Sequence, residues 1–269
     1  TLNNYEDYFV IVESNVTHTG VKKTYLYEDN KDMFSKFKDK IIHLKIEDTP
    51  NNFNNLNLIN NPKNTDEIFV NEIINFMINQ NPRKLFDLNN EVEYGRDFYQ
   101  KECVRRGLYN CNDNDIILFS DCDEIPNPEI LKNIKNLDLD NKFYSLTQIT
   151  YYYYMNVLKE KNWKGTRIGK FKNLKNYSFN QLRASEHNII ENGGWHFSFM
   201  GGHEKVKLKI QSYSAQDMNN ELVISSIEDH IKKNIDPFLR GNVIDDNVDE
   251  TYPKYLLDNL DKYKNFIKN

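Results

Sequence analysis

The sequence has no long apolar run, few cysteines and no excess of positive charge, and each shortage excludes a class of protein. No apolar stretch approaches the ~20 residues of a membrane-spanning helix, so we predict no membrane span in this chain. Cys103, Cys111 and Cys122 include no CxxC pair, which argues against a structural zinc site or a disulfide framework. The formal net charge of -5 argues against general nucleic-acid binding.

Two common catalytic motifs are also missing. The chain contains neither the G-x-x-x-x-G-K loop that cradles phosphates nor the G-x-S-x-G turn that presents a serine nucleophile. Reduced cysteines suit the cytosol, although one disulfide with a spare thiol is an alternative. The first residue is Thr rather than Met, so we expect that an upstream segment was removed. If that segment was a membrane anchor, this soluble domain belongs in a lumen rather than in the cytoplasm.

The pattern of apolar residues predicts a mixed α/β fold. Its 269 residues are 39% hydrophobic and 13% aromatic, which is enough for a full core. Periodicity predicts strands at 8–12, 41–46, 116–119, 142–157 and within 195–213. It predicts helices from residue 66, over 96–106 with Gly107 as C-cap, over 128–136 and over 220–233. We expect the first strand to be buried, parallel and central, and the whole chain to form one domain with a mixed sheet.

The sequence ILFSDCDEIPNPE at 117–129 carries the clearest functional signal. An apolar strand ends abruptly in Asp121, Asp123 and Glu124. Clustered carboxylates repel one another and lose solvation when buried, so we expect a positive charge among them. If the backbone stays extended, Asp121 and Asp123 point to the same side and can share one hard divalent cation, magnesium or manganese. The end of a central strand is also where open α/β sheets bind ligands.

A structural explanation of the same carboxylates is available. Asp121 and Asp123 could cap the helix that starts near Pro128, or they could form an Asx turn. A lone D-x-D sequence is common, and the buried strand before it is what favours the metal interpretation.

Four segments together resemble glycosyltransferase family 17, the β-1,4-mannosyl-glycoprotein β-1,4-N-acetylglucosaminyltransferases that add bisecting N-acetylglucosamine. They are DYFVIVESNVTHTGVKK at 7–23, GRDFYQKECVRRGL at 95–108, DIILFSDCDEIPNPEIL at 115–131 and NGGWHFSFMGGHEKVKLKIQSYS at 192–214. In their order and spacing these segments span most of the chain.

The resemblance implies a GT-A type glycosyltransferase fold, a Rossmann-like mixed sheet with flanking helices. Its nucleotide-sugar half would cover about 1–126 and its acceptor half about 127–269. It further implies transfer from UDP-N-acetylglucosamine to a glycan or glycoprotein acceptor with inversion, assisted by Mn²⁺ or Mg²⁺. Asp123 would be the main metal ligand, and Asp121 would approach the metal or the donor ribose. The rivals are a transferase for another nucleotide sugar and a carbohydrate-binding protein that has lost turnover.

One position departs from the family pattern. Where family members often have Ser-His-Gln-Glu, this chain has Ser-Ala-Gln-Asp at 214–217. Ala215 therefore replaces the histidine, and Asp217 keeps a shortened carboxylate. An essential role for that histidine is in doubt here, and the acceptor is expected to differ.

The Trp195-His196 pair is a second candidate. It follows Gly193 and Gly194, where a ligand could approach the backbone closely. We predict His196 as a metal ligand or phosphate partner and Trp195 as a donor contact. The alternative is that His196 is packed in the core between aromatic residues.

The end of the first strand supplies the remaining donor candidates. In the implied fold this edge receives the nucleoside, so we assign Glu13, Ser14 and Asn15 to donor binding. Lys22 and Arg96 are assigned to the diphosphate, because cationic side chains suit phosphate oxygens. Ordinary surface or strand-end charges are the alternative for each of them.

Inversion requires a general base for the acceptor hydroxyl. A carboxylate is expected, since a single displacement needs one proton acceptor and no covalent intermediate. Asp217, Glu204 and Glu124 are the candidates, and the sequence does not choose among them.

Overall fold

The computed structural model describes residues 1–53, 56–80 and 91–268. The strands are β1 Phe9–Ser14, β2 Ile41–Ile46, β3 Ile116–Phe119, β4 Glu124–Pro126, β5 Tyr144–Tyr152, β6 Val157–Lys170, β7 Asn188–Ser198 and β8 Ile244–Asp245. The helices are α1 Leu26–Asn30, α2 Thr65–Asn79, α3 Val92–Glu102, α4 Pro128–Lys132, α5 Phe171–Leu174, α6 Phe179–Ala184, α7 His203–Ser212, α8 Glu221–Lys233, α9 Lys254–Leu257 and α10 Leu260–Tyr263. Short 3₁₀ segments cover Lys31–Lys40, Cys103–Gly107, Ile134–Asn136, Gln216–Met218 and Lys264–Phe266.

The strands form two sheets, and their order confirms a mixed α/β fold. β1 and β2 pair in parallel as a two-stranded sheet. The larger sheet has the order β3-β6-β5-β7-β4, with β8 added beside β6. β5 and β7 run parallel, whereas the other pairs of this sheet are antiparallel. Among the described residues, no helix combines the length and apolar character needed to cross a bilayer.

Two expectations about strand positions were wrong. β1 is parallel as predicted, but within the described part of the chain it pairs only with β2 and is not central. β3 lies at one end of the larger sheet and pairs only with β6 there. β1 was also expected to be buried, but it is mostly half-buried, and only its last residue, Ser14, is buried. β3 is similar, with only Phe119 buried.

The segment 142–157 is not one strand. β5 ends at Tyr152, Tyr153 adopts a positive φ of 67°, and β6 begins at Val157. Tyr153 is nevertheless buried, and its hydroxyl donates to the carbonyl of Ile235 at 2.7 Å. The aromatic and β-branched composition of this segment predicted one continuous strand, whereas long-range contacts stabilise a tight turn within it.

The segment 195–213 is half strand and half helix. β7 ends at Ser198, and α7 begins at His203, where strand had been predicted. The sequence KVKLKI alternates apolar and charged residues like a strand, but Val206 and Ile210 are buried one helical turn apart and Leu208 is exposed. The buried positions of this segment therefore follow the helical period of 3.6 residues per turn rather than the strand period of two.

The helix predicted from residue 66 is α2, and the helix predicted over 220–233 is α8. The helix predicted over 128–136 is confirmed only as far as Lys132, after which a 3₁₀ segment covers Ile134–Asn136. Pro128 stands in the first turn of α4, and the side chain of Asn127 accepts from the amide of Glu129. Asn220 caps α8 by accepting from the amide of Val223. Asn127, and neither Asp121 nor Asp123, caps α4, so the capping alternative for the acidic cluster is wrong.

Gly107 was predicted as a C-cap, and it has a different role. It is the last residue of the 3₁₀ segment that follows α3, and a Cβ there would lie 2.4 Å from Cγ1 of Val10. Leu44 would lie 3.0 Å away. The glycine therefore lets this 3₁₀ segment pack closely against β1 and β2.

A buried carboxylate joins α3 to α6. Glu102 is fully buried, and one of its oxygens accepts from Ser178 Oγ at 2.6 Å and from the backbone and side-chain nitrogens of Asn180 at 3.0 and 2.8 Å. The other oxygen accepts from Nε of Arg105 at 3.1 Å. Because Ser178 and Asn180 lie at the start of α6, and Arg105 lies in the 3₁₀ segment after α3, this network fixes the position of α6.

Gly193 and Gly194 were expected to admit a ligand, and neighbouring strands occupy that space instead. A Cβ on Gly193 would lie 2.5 Å from Leu146 Cβ on β5. Gly194 has φ +139°, and a Cβ there would lie 2.1 Å from the carbonyl oxygen of Ile125 on β4. The two glycines allow β7 to sit tightly between β5 and β4.

We predict that Gly194→Ala lowers the free energy of unfolding by more than ~3 kcal/mol, because strain in φ and a clash with β4 add together. Gly241→Ala is the matched control. Gly241 has φ +100° with nothing within 4 Å of the added Cβ, so it should lose only ~1–2 kcal/mol. Urea denaturation of both variants measures the difference. Equal losses would show that the close approach of β4 has no energetic effect.

Candidate active site

Asp121 and Asp123 lie in a turn between β3 and β4 rather than on extended backbone, and Glu124 is the first residue of β4. The amide of Glu124 donates to the carbonyl of Asp121 at 3.0 Å, and the amide of Asp121 donates to Oε2 of Glu124 at 3.1 Å. The carbonyl of Asp123 accepts from the amide of Phe197 at 2.9 Å, which ties the turn to β7. The assumption that Asp121 and Asp123 share one side of a strand is therefore wrong.

Arg183 on α6 supplies a positive charge to two of the three carboxylates. Its Nη2 lies 3.0 Å from Asp121 Oδ2 and 2.8 Å from Glu124 Oε1, and its Nη1 lies 3.0 Å from Glu124 Oε2. Burial opposes the charge on the guanidinium, but Asp121 and then Glu124 outweigh it and raise the pKa of Arg183. This bidentate pair holds Glu124, whose side chain is fully buried.

Lys209 on α7 supplies the charge that faces the third carboxylate. Its Nζ lies 2.9 Å from Asp123 Oδ2. Asp123 Oδ1 lies 3.4 Å from His196 Nε2 on β7. Burial opposes ionisation of Asp123, but the hydrogen bond to His196 and the charge of Lys209 outweigh it and hold the pKa of Asp123 well below its usual range.

His196 is both packed and aimed at the turn. Its ring stacks on Trp163 of β6 with centroids 5.0 Å apart and an interplanar angle of 27°. Nδ1 lies 3.3 Å from Oγ1 of Thr150 on β5, which leaves Nε2 facing Asp123. The core interpretation of His196 is therefore confirmed, and its role as a metal ligand stays a prediction, for which this packing would set the ring orientation.

A second charged cluster lies beside the turn. Asp97 on α3 accepts from Lys101 Nζ at 2.8 Å and from Ser214 Oγ at 3.2 Å, and His18 Nε2 lies 3.9 Å away. Burial opposes the charge on Lys101, but Asp97 and then Asp121 outweigh it and raise the pKa of Lys101. The cluster connects the loop after β1 to the segment that follows α7.

A cavity of about 490 Å³ opens next to these charges. Its lining includes Lys101, Trp163, Arg167 and Arg183, so the side facing the acidic turn is cationic and aromatic. This volume lies within the usual range of small-ligand sites, ~300–1,000 Å³.

The residues at the turn can be tested against the divalent cation that the sequence implied. Within 1–53, 56–80 and 91–268, no three His, Cys, Asp or Glu side chains are arranged to hold an ion. Asp123 Oδ1 and His196 Nε2 form a pair of donor atoms 3.4 Å apart. Magnesium sites commonly use one or two carboxylates and complete their shell with substrate phosphates. Asp123 can supply one such carboxylate, with His196 Nε2 beside it, whereas Asp121 is turned toward Arg183.

Three predicted donor residues lie at the end of β1, each with a partner inside the protein. Glu13 accepts from the amides of Leu26 and Tyr27 at the start of α1, at 2.8 and 2.9 Å, and from His43 Nε2 at 2.9 Å. The hydroxyl of Ser14 lies 2.9 Å from that of Thr49. The backbone of Asn15 is held by Ile46 and Lys23.

The other predicted donor residues lie apart from the acidic turn. Arg96 donates to the carbonyls of His18 and Asn51 at 2.9 and 3.0 Å and so joins two loops. Lys22 is exposed. Trp195 points to the face of β7 opposite His196, is buried in the core, and donates from Nε1 to the carbonyl of Thr251 at 3.1 Å.

The three candidate bases occupy different environments. Glu124 is buried, and its two oxygens accept from Arg183 and from Trp163 Nε1. Glu204 is 75% exposed in the first turn of α7 and pairs with neighbours on that helix. Asp217 is exposed in the 3₁₀ segment after α7, three residues beyond Ser214.

Sequence reasoning missed the cations that hold the carboxylates. Arg183 is 62 residues from Asp121, and Lys209 is 86 residues from Asp123. The apolar residues on either side of Lys209 looked like a strand, so its helical neighbours could not be assigned. The only sequence signal was the excess of carboxylates at the turn, which predicted a positive partner without identifying it.

A family model described as "Glycosyltransferase family 17" matches residues 1–77 and 63–255. No curated protein and no solved structure gave a significant match.

We predict that Arg183→Met costs roughly 3–5 kcal/mol of stability at neutral pH, because it leaves the buried Glu124 carboxylate without its cation. Adding Glu124→Gln should recover much of that loss, since the unpaired charge is then removed. Lys175→Met, which breaks an exposed pair with Asp113, should change stability by less than ~1 kcal/mol. Urea denaturation measures these three variants and Glu124→Gln alone, which the test of additivity requires. Strictly additive losses in the double variant would contradict the pairing.

Proposed function

The chain belongs to glycosyltransferase family 17, and from this membership we propose that it transfers N-acetylglucosamine from UDP-N-acetylglucosamine to a glycan acceptor with inversion. As a glycosyltransferase it uses a sugar donor and an acceptor. The observation that carries the proposal is the meeting of the acidic turn, Arg183, Lys209 and His196 beside a cavity of about 490 Å³. A GT-A arrangement is proposed with it, with donor contacts in about 1–126 and acceptor contacts in about 127–269.

We place the donor diphosphate at the mouth of this cavity. Lys101 and Arg183 line it, and guanidinium and ammonium groups are the usual partners of phosphate oxygens. Asp121 then approaches the donor from the turn, and the end of β1 contributes the nucleoside contacts of Ser14 and Asn15. Glu13 acts indirectly, by fixing the start of α1 beside that edge.

A divalent cation, Mn²⁺ or Mg²⁺, is proposed to be held by Asp123 and His196 together with the diphosphate. When bound, such an ion neutralises the departing nucleoside diphosphate as a Lewis acid. The chain's own groups prepare the site: Thr150 and Trp163 orient His196, and the amide of Phe197 fixes the backbone of Asp123.

Asp217 is the base that we favour. On α7, positions 204 and 209 are separated by 140° around the axis at ~100° per residue, so Glu204 points away from the acidic turn that Lys209 contacts. Both oxygens of Glu124 are already occupied. Asp217 is exposed and follows Ser214, which bonds to Asp97 in the site.

The central test removes the proposed metal ligand. Asp123→Asn should lower transfer more than ~100-fold, which exceeds the 10–100-fold typical of losing a supporting contact to a metal site. UDP release with and without acceptor measures turnover, and Asp113→Asn on the surface is the matched control. Manganese should tighten UDP binding to the wild type, and UDP should tighten manganese binding by the same factor. Full wild-type activity in excess EDTA would exclude the metal.

A separate test addresses the base. Asp217→Asn should lower kcat by about 10²–10⁴-fold, the usual contribution of general base catalysis, while leaving UDP affinity unchanged. Glu204→Gln should stay within about twofold of the wild type. Single-turnover kinetics and UDP calorimetry on both variants separate the two candidates. The reverse pattern would assign the base to Glu204.

A further inference from the structure

Lys209 occupies an unusual position for a lysine on a helix. Its Nζ lies 2.9 Å from Asp123 Oδ2, 2.9 Å from Ser198 Oγ, and 4.8 Å from the ring centroid of Phe199. Both of the latter residues belong to the end of β7 and the turn after it. Ser198 and Phe199 therefore direct the ammonium group to the carboxylate that the proposed metal site uses.

The carboxylate of Asp123 is divided between two partners. Oδ1 faces His196, with which it would share an ion, and Oδ2 faces Lys209. A divalent ion on this carboxylate would lie within a few ångströms of the ammonium. Like charges at that distance repel strongly in a partly buried site. An ion and the ammonium therefore compete for Asp123.

Lys209 is able to leave, whereas Arg183 is not. The side chain of Lys209 is 38% exposed and has a flexible four-carbon stem. Arg183 is held by Asp121, Glu124 and the carbonyl of Gly165 together. Of the two cations at the turn, Lys209 is the one that can exchange.

We propose that Lys209 is a tethered cation that holds Asp123 in the donor-free protein and is displaced from it by a divalent ion arriving with the donor diphosphate. The inference rests on the proposed function, because it takes Asp123 as the metal ligand. It adds a regulatory consequence: the donor-free protein binds metal weakly, and metal and donor bind together. Once displaced, the ammonium remains beside the mouth of the site, where it can face a phosphate oxygen.

The experiment measures Mn²⁺ affinity by calorimetry, with and without saturating UDP. Lys209→Met keeps the length of the side chain and removes its charge. It should tighten Mn²⁺ binding without UDP by about 10–100-fold, the equivalent of one lost charge-assisted hydrogen bond. Lys209→Arg keeps the competitor and should bind Mn²⁺ as the wild type does. Lys207→Met, whose lysine pairs with Glu204 on the same helix, is the matched control and should also match the wild type.

Unchanged or weaker Mn²⁺ binding in Lys209→Met would overturn the inference. If UDP still binds in that case, the result would support the donor site of the proposed function and contradict the role of Lys209 as a tethered cation. Conversely, tighter Mn²⁺ binding in Lys209→Met with no UDP binding to any variant would support the tethered cation and overturn the donor site. Thermal melting of each variant verifies folding, and Lys209→Gln provides a second uncharged variant in which the same tightening is expected.

Discussion

The structure depends on neutralising three carboxylates in one short turn. Asp121, Asp123 and Glu124 lie close together, and Glu124 is fully buried, so their charges cannot remain unpaired. Arg183 and Lys209 provide the balance from two helices on either side of the turn. The larger sheet, the tight approach of β4 to β7 and the packing of α6 and α7 all serve to bring those two cations to the turn.

The positions of these two cations depend in turn on hydrogen bonds made by side chains of α3. Glu102 on α3 bonds to Ser178 and Asn180, which begin α6 and so determine where Arg183 lies at its end. Asp97 on the same helix bonds to Ser214 beyond α7. Because α3 contacts both segments through buried carboxylates, the electrostatics of the candidate site are linked to the core rather than confined to surface loops.

Local chemistry was predictable from the sequence, whereas pairing across the chain was not. The acidic end of β3, the proline in the first turn of α4 and the asparagine cap of α8 each rest on neighbouring residues. Gly107 and Gly194 were recognised as special, but their packing partners, Val10 and Ile125, lie on distant strands. Lys209 was assigned to a strand, because the alternating sequence around it is compatible with both a strand and a helix. Tertiary contacts decide between the two.

The charge around the acidic turn bears on the proposed binding of the donor. Asp121, Asp123 and Glu124 face Arg183 and Lys209, and Lys101, Arg167 and Arg183 line the neighbouring cavity. In our proposal a diphosphate would therefore meet cations on the cavity side and carboxylates at the turn. A divalent ion on Asp123 would offset the carboxylates, and this reciprocal effect is the reason why we propose that the ion and the diphosphate bind together.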